Sequence, residues 1–580
     1  MSLFISMSSI LLLCGTALPG PWLTQDLSQG YGIIKMGDKR LVDRFGGGAW
    51  GRINGADFDG DGDVDIIATF GAGGGAKGTY NGLWIYQNIG TSQQGLLDTG
   101  CCLASDRDVK AAQPLVGDAN GDSLPDVYCN GYLYLNQSIH YELTFSEARA
   151  IPHPQWPGPA ACDWNGDGVI DRFAEDPWRL KWVNGKTGEV SFLRVGQQEL
   201  LQDIFIRPFV CDWDADGDSD ILVGQESGHI TAIENQHGRL LAEVHVMQAG
   251  PNLKSGCASV PVVCDWDGDG DADILVGNAA GFVELFLYHQ GQFASARRLH
   301  AGGKEIRICA GELGSVQGPQ EARWGYVGPE VADWDLDGDL DLLVGCVTGE
   351  NLFFENMGSR TRPDLARAKN IQVHWGNAEP VTPQGTRYVP QPGHLITQWR
   401  CRPVVRDWNG DGLPDYLTID EKGLLAWYAR YRCPDGSLGL RPAQYPFCDE
   451  KGRPLRFCSH DRPGRNGRIK FALVDWDQDG DLDIIRSGGL RHGKKNLDNG
   501  LNFVYLECLE TDARHRAHFA WRGDLIHDAA IRLQGHSDAP FPYDIDGNGT
   551  LDIVSGCEDG NLYWFKREWI DTRALGSSDK

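Results

Sequence analysis

Apolar runs of three residues recur along this chain, each closed by glycine and followed, after a short polar turn, by an alternating run. Ile221-Leu-Val-Gly224 leads through Gln225-Glu-Ser-Gly228 into His229-Ile-Thr-Ala-Ile-Glu-Asn235. Ile274-Leu-Val-Gly277 leads through Asn278-Ala-Ala-Gly281 into Phe282-Val-Glu-Leu-Phe-Leu-Tyr288, and Leu342-Leu-Val-Gly345 precedes Asn351-Leu-Phe-Phe-Glu-Asn356. Runs this short, bounded by glycine turns, predict strands rather than helices. A further apolar segment stands ahead of each pair, as in Pro261-Val-Val-Cys264. The unit reads strand, polar loop, strand, glycine turn, strand, with room for one more strand before the next.

The polar loop between the first two strands has a fixed form. Counting its first aspartate as position one, oxygen-bearing residues fall on odd positions and position nine opens the second strand. The fullest copies are Asp57, Asp59, Asp61, Asp63 and Asp65; Asp212, Asp214, Asp216, Asp218 and Asp220; Asp265, Asp267, Asp269, Asp271 and Asp273; Asp333, Asp335, Asp337, Asp339 and Asp341; and Asp475, Asp477, Asp479, Asp481 and Asp483. Sparser copies are Asp118, Asn120, Asp122 and Asp126; Asp163, Asn165, Asp167 and Asp171; Asp407, Asn409, Asp411 and Asp415; and Asp544, Asp546, Asn548, Thr550 and Asp552. Positions one and nine are always Asp, whereas position seven also takes Val169, Leu413, Leu124 or Thr550.

No packed core tolerates five carboxylates in nine residues without a cation, and alternate positions of a tight loop can turn their oxygens inward. Hard oxygen donors of this kind suit Ca²⁺. Positions one, three, five and nine are the expected side-chain ligands, with position seven supplying mainly its carbonyl. Glycine at position six permits the sharp turn; Ser123 replaces it in the second loop, which is the weakest copy. An EF-hand is excluded, because position twelve of the first loop is Ala68 rather than Glu and the flanks are strands.

Loop starts are separated by 61, 45, 49, 53, 68, 74, 68 and 69 residues. The shorter spacings match one four-stranded antiparallel blade and the longer ones a blade with an insertion. Sheets this small cannot bury both faces alone, so radial packing follows. The expected fold is all-β: a single closed β-propeller of seven to nine blades over 45–570. A signal peptide is expected at 1–20, an N-terminal segment at 21–44 that completes the closing blade through Gly32-Ile-Ile-Lys-Met36, and a flexible tail at 571–580.

Asp212-Trp-Asp-Ala-Asp216-Gly-Asp-Ser-Asp-Ile-Leu-Val-Gly224 and Asp407-Trp-Asn-Gly-Asp411-Gly-Leu-Pro-Asp415 resemble FG-GAP/VCBS repeats, the family that includes the calcium-binding blades of integrin alpha-subunit propellers. The resemblance spans about 45–570 and implies several structural Ca²⁺ ions. It leaves activity open, since such propellers include adhesion modules, carbohydrate-binding modules and polysaccharide lyases.

Composition changes the picture in three places. Of the 80 acidic residues 37 lie in the nine loops, and nine divalent ions would bring the net charge from −27 to −9. The acidity is thus an inventory of metal sites, and no basic stripe supports nucleic-acid binding. The apolar run Leu3–Leu13, followed by Cys14-Gly-Thr-Ala, predicts a secreted, periplasmic or cell-surface protein, with lipidation at Cys14 or a retained anchor as variants. No later segment is long and apolar enough to span a membrane. Among 16 cysteines, Cys162, Cys211 and Cys264 occupy equivalent positions ahead of loops and read as small buried hydrophobes. Cys101 with Cys102, and the group Cys433, Cys448 and Cys458, are the disulfide candidates.

The function expected is therefore a monomeric, calcium-stabilised propeller that binds a glycan or protein ligand on one face. The alternative is a polysaccharide lyase or other glycan-active enzyme. Its acid–base candidates are His374 near Trp375, His394 near Trp399 and Arg400, and His460 within Arg456–Arg468. The tryptophans at position two (164, 213, 266, 334, 408 and 476) read as inter-blade packing before sugar platforms. Arg522-Gly-Asp524 spells an integrin-binding tripeptide of a length that arises readily by chance.

Overall fold

A computed structural model describes residues 52–573 and the short strands Gly32–Ile33 and Leu41–Val42, apart from 71–81, 377–388, 458–467, 488–502, 528–538 and interruptions of at most six residues. Asp546, Cys458 and His460 lie outside the described residues. Every described element longer than three residues is a β-strand.

Nine sheets follow one another, and each begins with the predicted strand–loop–strand unit. Their first strands are Arg52–Ala56, Leu115–Gly117, Ala161–Cys162, Arg207–Cys211, Val260–Cys264, Gly328–Ala332, Val404–Arg406, Phe471–Val474 and Ala539–Tyr543. Seven sheets have four strands; the seventh has three and the eighth has six. In all nine, the residue before position one faces the position-nine aspartate across the antiparallel pair, as Cys264 faces Asp273 and Arg406 faces Asp415. The loop therefore always spans the same register.

Fully buried second strands such as Asp273–Gly277 carry Ile, Leu and Val on both faces, because a neighbouring sheet covers each face. Ile274 and Val276 meet Val554 and Trp564 of the ninth sheet, while Leu275 meets Leu342 and Val344 of the sixth. Similar shared cores join the sixth to the seventh, the seventh to the eighth and the eighth to the ninth.

This packing departs from a single ring in chain order. The ninth sheet returns to the fifth rather than the first, and the seam is sealed by Ser259 Oγ donating to Cys557 O at 3.1 Å and Cys557 N donating back at 3.0 Å. The first sheet instead packs on the fourth, where Ile53 and Ile66 meet Phe209, Trp213 and Leu222. It also packs on the second, and the third packs on the fourth. The physical reason is covering: a sheet buries its apolar face on any partner presenting the same short Val/Ile/Leu strands, so chain order alone does not dictate neighbours.

Two terminal strands complete the picture. Gly32 and Ile33 pair with Trp564 and Tyr563 as the fourth strand of the ninth sheet. Ile570–Arg573 reaches into the expected tail at 571–580 and pairs there with Ala517–His527 in the eighth sheet, where Ile570 packs beside Tyr563 and Phe565.

Candidate metal loops

Each loop is held by its own carboxylates. The position-one aspartate accepts the N–H of position six through Oδ2 at 2.7–3.1 Å in eight loops. The position-five side chain accepts the N–H of position seven at 2.8–3.2 Å in all nine. These bonds need two left-handed residues, at positions four and six. Position six is glycine except for Ser123, whose φ of 72° keeps the same turn. Sequence reasoning missed position four, because it is glycine in only six loops; Ala215, Leu336 and Gln478 adopt φ of 57°, 67° and 64° there.

Position nine is the anchor. Asp65, Asp126, Asp171, Asp220, Asp273, Asp341, Asp415, Asp483 and Asp552 are all buried. Every one accepts through Oδ1, at 2.6–2.8 Å, a main-chain N–H at the end of the third strand: Asn88, Asn136, Gly185, Asn235, Tyr288, Asn356, Arg430, Cys508 and Arg567. In seven loops Oδ2 also accepts the position-two N–H at 2.8–3.1 Å. One carboxylate thus ties the loop's start to the third strand. Burial pushes Asp65, Asp273 and Asp341 up to about 7, and Asp220, Asp415 and Asp483 up to about 6, against the main-chain bonds that favour their ionised form.

The remaining oxygens converge. Ligand atoms of Asp57, Asp59 and Asp61, and of Asp265, Asp267 and Asp269, lie within 4.8 Å of one another, bringing positions one, three and five together. Positions one, three and nine converge in Asp212, Asp214 and Asp220 and in Asp333, Asp335 and Asp341. Oδ1 atoms of Asp265, Asp267, Asp333, Asp339 and Asp475 are buried with no hydrogen-bond partner. Asp339 is pushed to about 6 by burial and then by the charges of Asp337, Asp335 and Asp333. Buried carboxylate oxygens without donors, pressed against like charges, fit a divalent cation. Several of these loops could therefore hold a metal ion.

Residues beyond the loops also reach them. Gln87 Nε2 donates to Asp59 Oδ2 at 2.9 Å, Arg360 Nη2 lies 2.9 Å from Asp265 Oδ2, and His289 Nδ1 lies 3.5 Å from Asp269 Oδ2. Gln87 and His289 follow third strands and Arg360 belongs to an insertion, so no loop spacing announces them.

The other sequence candidates scatter. His374 Nδ1 hydrogen-bonds the Tyr431 hydroxyl, and Gln372 bridges His394 through the main chain. Arg400 is buried elsewhere, 3.2 Å from Glu321 Oε1 with its guanidinium over Tyr326 and Trp399. They form no acid–base constellation among the described residues. Arg522-Gly-Asp524 lies inside the strand Ala517–His527, where Gly523 and Asp524 face Tyr505 and Val504 and the Arg522 side chain is clamped by Glu507, so it is not a projecting tripeptide. The disulfide candidates Cys101, Cys102, Cys433 and Cys448 are unbridged, and burial raises the Cys211 and Cys264 thiols well above their ordinary value. Cys433 lies in the turn after Arg430–Arg432, where its N–H donates to Ser437 O, whereas Cys448 faces His518 in the eighth sheet. The position-two tryptophans serve packing: Arg430 stacks on Trp334 and Arg567 on Trp476, each from the next sheet.

The sequence matches the FG-GAP-like repeat at residues 212–276 and again at 265–344, so the chain carries this repeat at its fourth to sixth sheets. No curated protein matches it in sequence. Similar solved structures include an Agrocybe aegerita lectin that recognises non-reducing terminal N-acetylglucosamine, at 13% identity over 81% of this chain and 92% of the lectin, with a TM-score of 0.24. Another is rhamnogalacturonan lyase YesW, at 13% identity over 91% of each chain and a TM-score of 0.24. A third is BBS1N in complex with ARL6DN, at 10% identity over 70% of this chain and 92% of the other, with a TM-score of 0.22.

Proposed function

We propose that this protein is a secreted, calcium-stabilised β-propeller protein that recognises a glycan. The supporting observation is the set of buried, donor-free carboxylate oxygens turned into the loops beside like charges. Ca²⁺ accepts six to eight oxygens in flexible geometry, which suits loops offering carboxylates, amides and carbonyls together. Positions one, three, five and nine would hold the ion, and it would supply charge neutralisation only. Because the loop carboxylates would be committed to the ion and to the loop's own main-chain bonds, the loops act as scaffold and ligand recognition falls to other surfaces.

The architecture we infer is two propeller-like units rather than one. Sheets five to nine pack cyclically and make a five-bladed ring, with the chain's first strand closing its last blade. Sheets one to four make a smaller four-bladed unit. The apolar run at the start of the chain is the observation behind export.

The test is direct. Metal analysis of protein dialysed against trace Ca²⁺ should return several equivalents per chain, and glycan-affinity electrophoresis should retard the calcium-loaded protein. Metal-free protein after that dialysis would sink the calcium reading. Ultraviolet absorbance appearing on incubation with uronate polysaccharides would replace recognition with β-elimination.

A further inference from the structure

Among the position-two tryptophans, Trp213, Trp266, Trp334 and Trp476 are buried between sheets. Trp408 is half-buried, with its indole N–H donating to His515 O at 3.0 Å. Trp164 departs from this pattern. Its edge meets Phe173 at 4.9 Å, while the residue lines an open groove of about 580 Å³ beside the third and fourth sheets. That volume falls within the range of about 300–1,000 Å³ typical of small-ligand sites.

Two short hairpins wall the groove. One pairs Arg194–Val195 with Gln198–Glu199, and the other pairs Asn235–Gln236 with Arg239–Leu240. Leu193 and Leu240 are buried beneath it, anchored in the core that the third and fourth sheets share. Among the described residues the lining includes Arg194 and Arg239 and no Asp or Glu. Arg194 is paired with Glu199 of the same hairpin, whose Oε1 lies 3.3 Å from Nη2. In a chain of net charge −27, two arginines among the described lining residues are a local concentration of positive charge, offset in part at Arg194 by Glu199.

Resting on the glycan-recognition reading above, we propose that this groove binds an acidic sugar residue. The apolar face of the pyranose ring lies against Trp164, and its carboxylate is taken by Arg194 and Arg239. An aromatic face suits the C–H surface of a sugar, and a guanidinium fork matches a carboxylate in two hydrogen bonds. A flat aromatic beside two forked donors favours a ring carrying its charge at one edge over a flexible acidic peptide. The peptide is the competing occupant in the test.

The experiment uses the full chain in calcium-containing buffer, with oligogalacturonate, a neutral galactan oligosaccharide and polyglutamate as probes in isothermal titration. Oligogalacturonate should bind at least about tenfold tighter than the neutral probe, which is about one charge-assisted hydrogen bond's worth. Trp164→Ala and Arg239→Ala should each lose about tenfold or more, and Arg239→Lys should recover part of the loss. Arg239 is exposed, so its variants keep the test alive should Trp164→Ala unfold. Unchanged uronate affinity in the Arg239 variants overturns the groove and leaves glycan recognition standing. Wild-type protein that binds neither saccharide overturns both. Polyglutamate binding as tightly as oligogalacturonate overturns the sugar assignment.

Discussion

Position nine and position five of one loop should fail in different ways. Asp341 is buried and accepts Asn356 N at 2.7 Å through Oδ1 and Trp334 N at 3.0 Å through Oδ2. Asp341→Ala leaves two buried main-chain N–H groups without acceptors, at about 1–3 kcal/mol each. The carboxylate it removes is itself raised to about 7 by burial, which offsets part of that loss, so roughly 2–4 kcal/mol remains. At about 2–4 °C per kcal/mol for a unit of roughly 200 residues, Tm should fall on the order of 5–10 °C in EDTA, and further in Ca²⁺, where the ion's ninth-position ligand is lost as well. Asp337 is exposed and accepts only the N–H of Asp339, at 3.2 Å. Asp337→Ala should therefore melt within about 0.5 kcal/mol of wild type in EDTA. In Ca²⁺ it should forfeit one site, about 2.7 kcal/mol at a hundredfold excess over Kd. Scanning calorimetry of both variants in Ca²⁺ and in EDTA makes the comparison. An Asp341→Ala protein that melts like wild type in EDTA would refute the anchor argument, and equal losses for Asp337→Ala in both buffers would refute the metal argument.

Metal-free protein should lose stability as pH rises. Six position-nine carboxylates, Asp65, Asp220, Asp273, Asp341, Asp415 and Asp483, have folded pKa values of about 6 to about 7, above the unfolded value of about 3.9, so their contribution is complete below about pH 4 and lost through pH 6–7. Ca²⁺, which binds the ionised form, should flatten or invert the slope, and a Tm independent of pH in EDTA would contradict this. Leu336→Asn should stabilise by up to about 1 kcal/mol, since Leu336 is held at φ 67° where Asn is better tolerated; a lower Tm would count against the position-four reading. Trp266→Ala, at a side chain only 1% exposed between the fifth and sixth sheets, should cost about 3–5 kcal/mol in denaturant unfolding, and a loss under about 1 kcal/mol would exclude its packing role. Reductant should leave Tm unchanged, and alkylation with mass analysis should find Cys101, Cys102, Cys433 and Cys448 as thiols; a bridged pair among them would overturn the assignment.

The strand–loop–strand unit was legible because its two signals are local: aspartates on odd positions and a glycine-closed apolar run. The second left-handed position was hidden by Ala215, Leu336 and Gln478, residues whose identity does not announce positive φ. The partner of each sheet was also hidden. Val263 faces Val554 as readily as another sheet's valine, so the return of the ninth sheet to the fifth has no sequence signature. Gln87, Arg360 and His289 reach the loops by tertiary placement alone. Trp164 is spelled like its five counterparts, and only the shape of the third and fourth sheets leaves it beside open space.

The pairing of Gly32–Ile33 with Tyr563–Trp564 gives this chain a clock. The clasp emerges from the ribosome ahead of all nine sheets, and its partner emerges more than 500 residues later. At about 5–20 residues per second that is a wait of roughly 25–110 s, long enough for the first four sheets to fold in the interval. The ninth sheet's edge is covered only when Gly32–Ile33 meets the strand made more than 500 residues after it, and an uncovered edge is a template for another chain. Shortening the chain from its front by some forty residues should leave each local unit intact and still raise aggregation during synthesis.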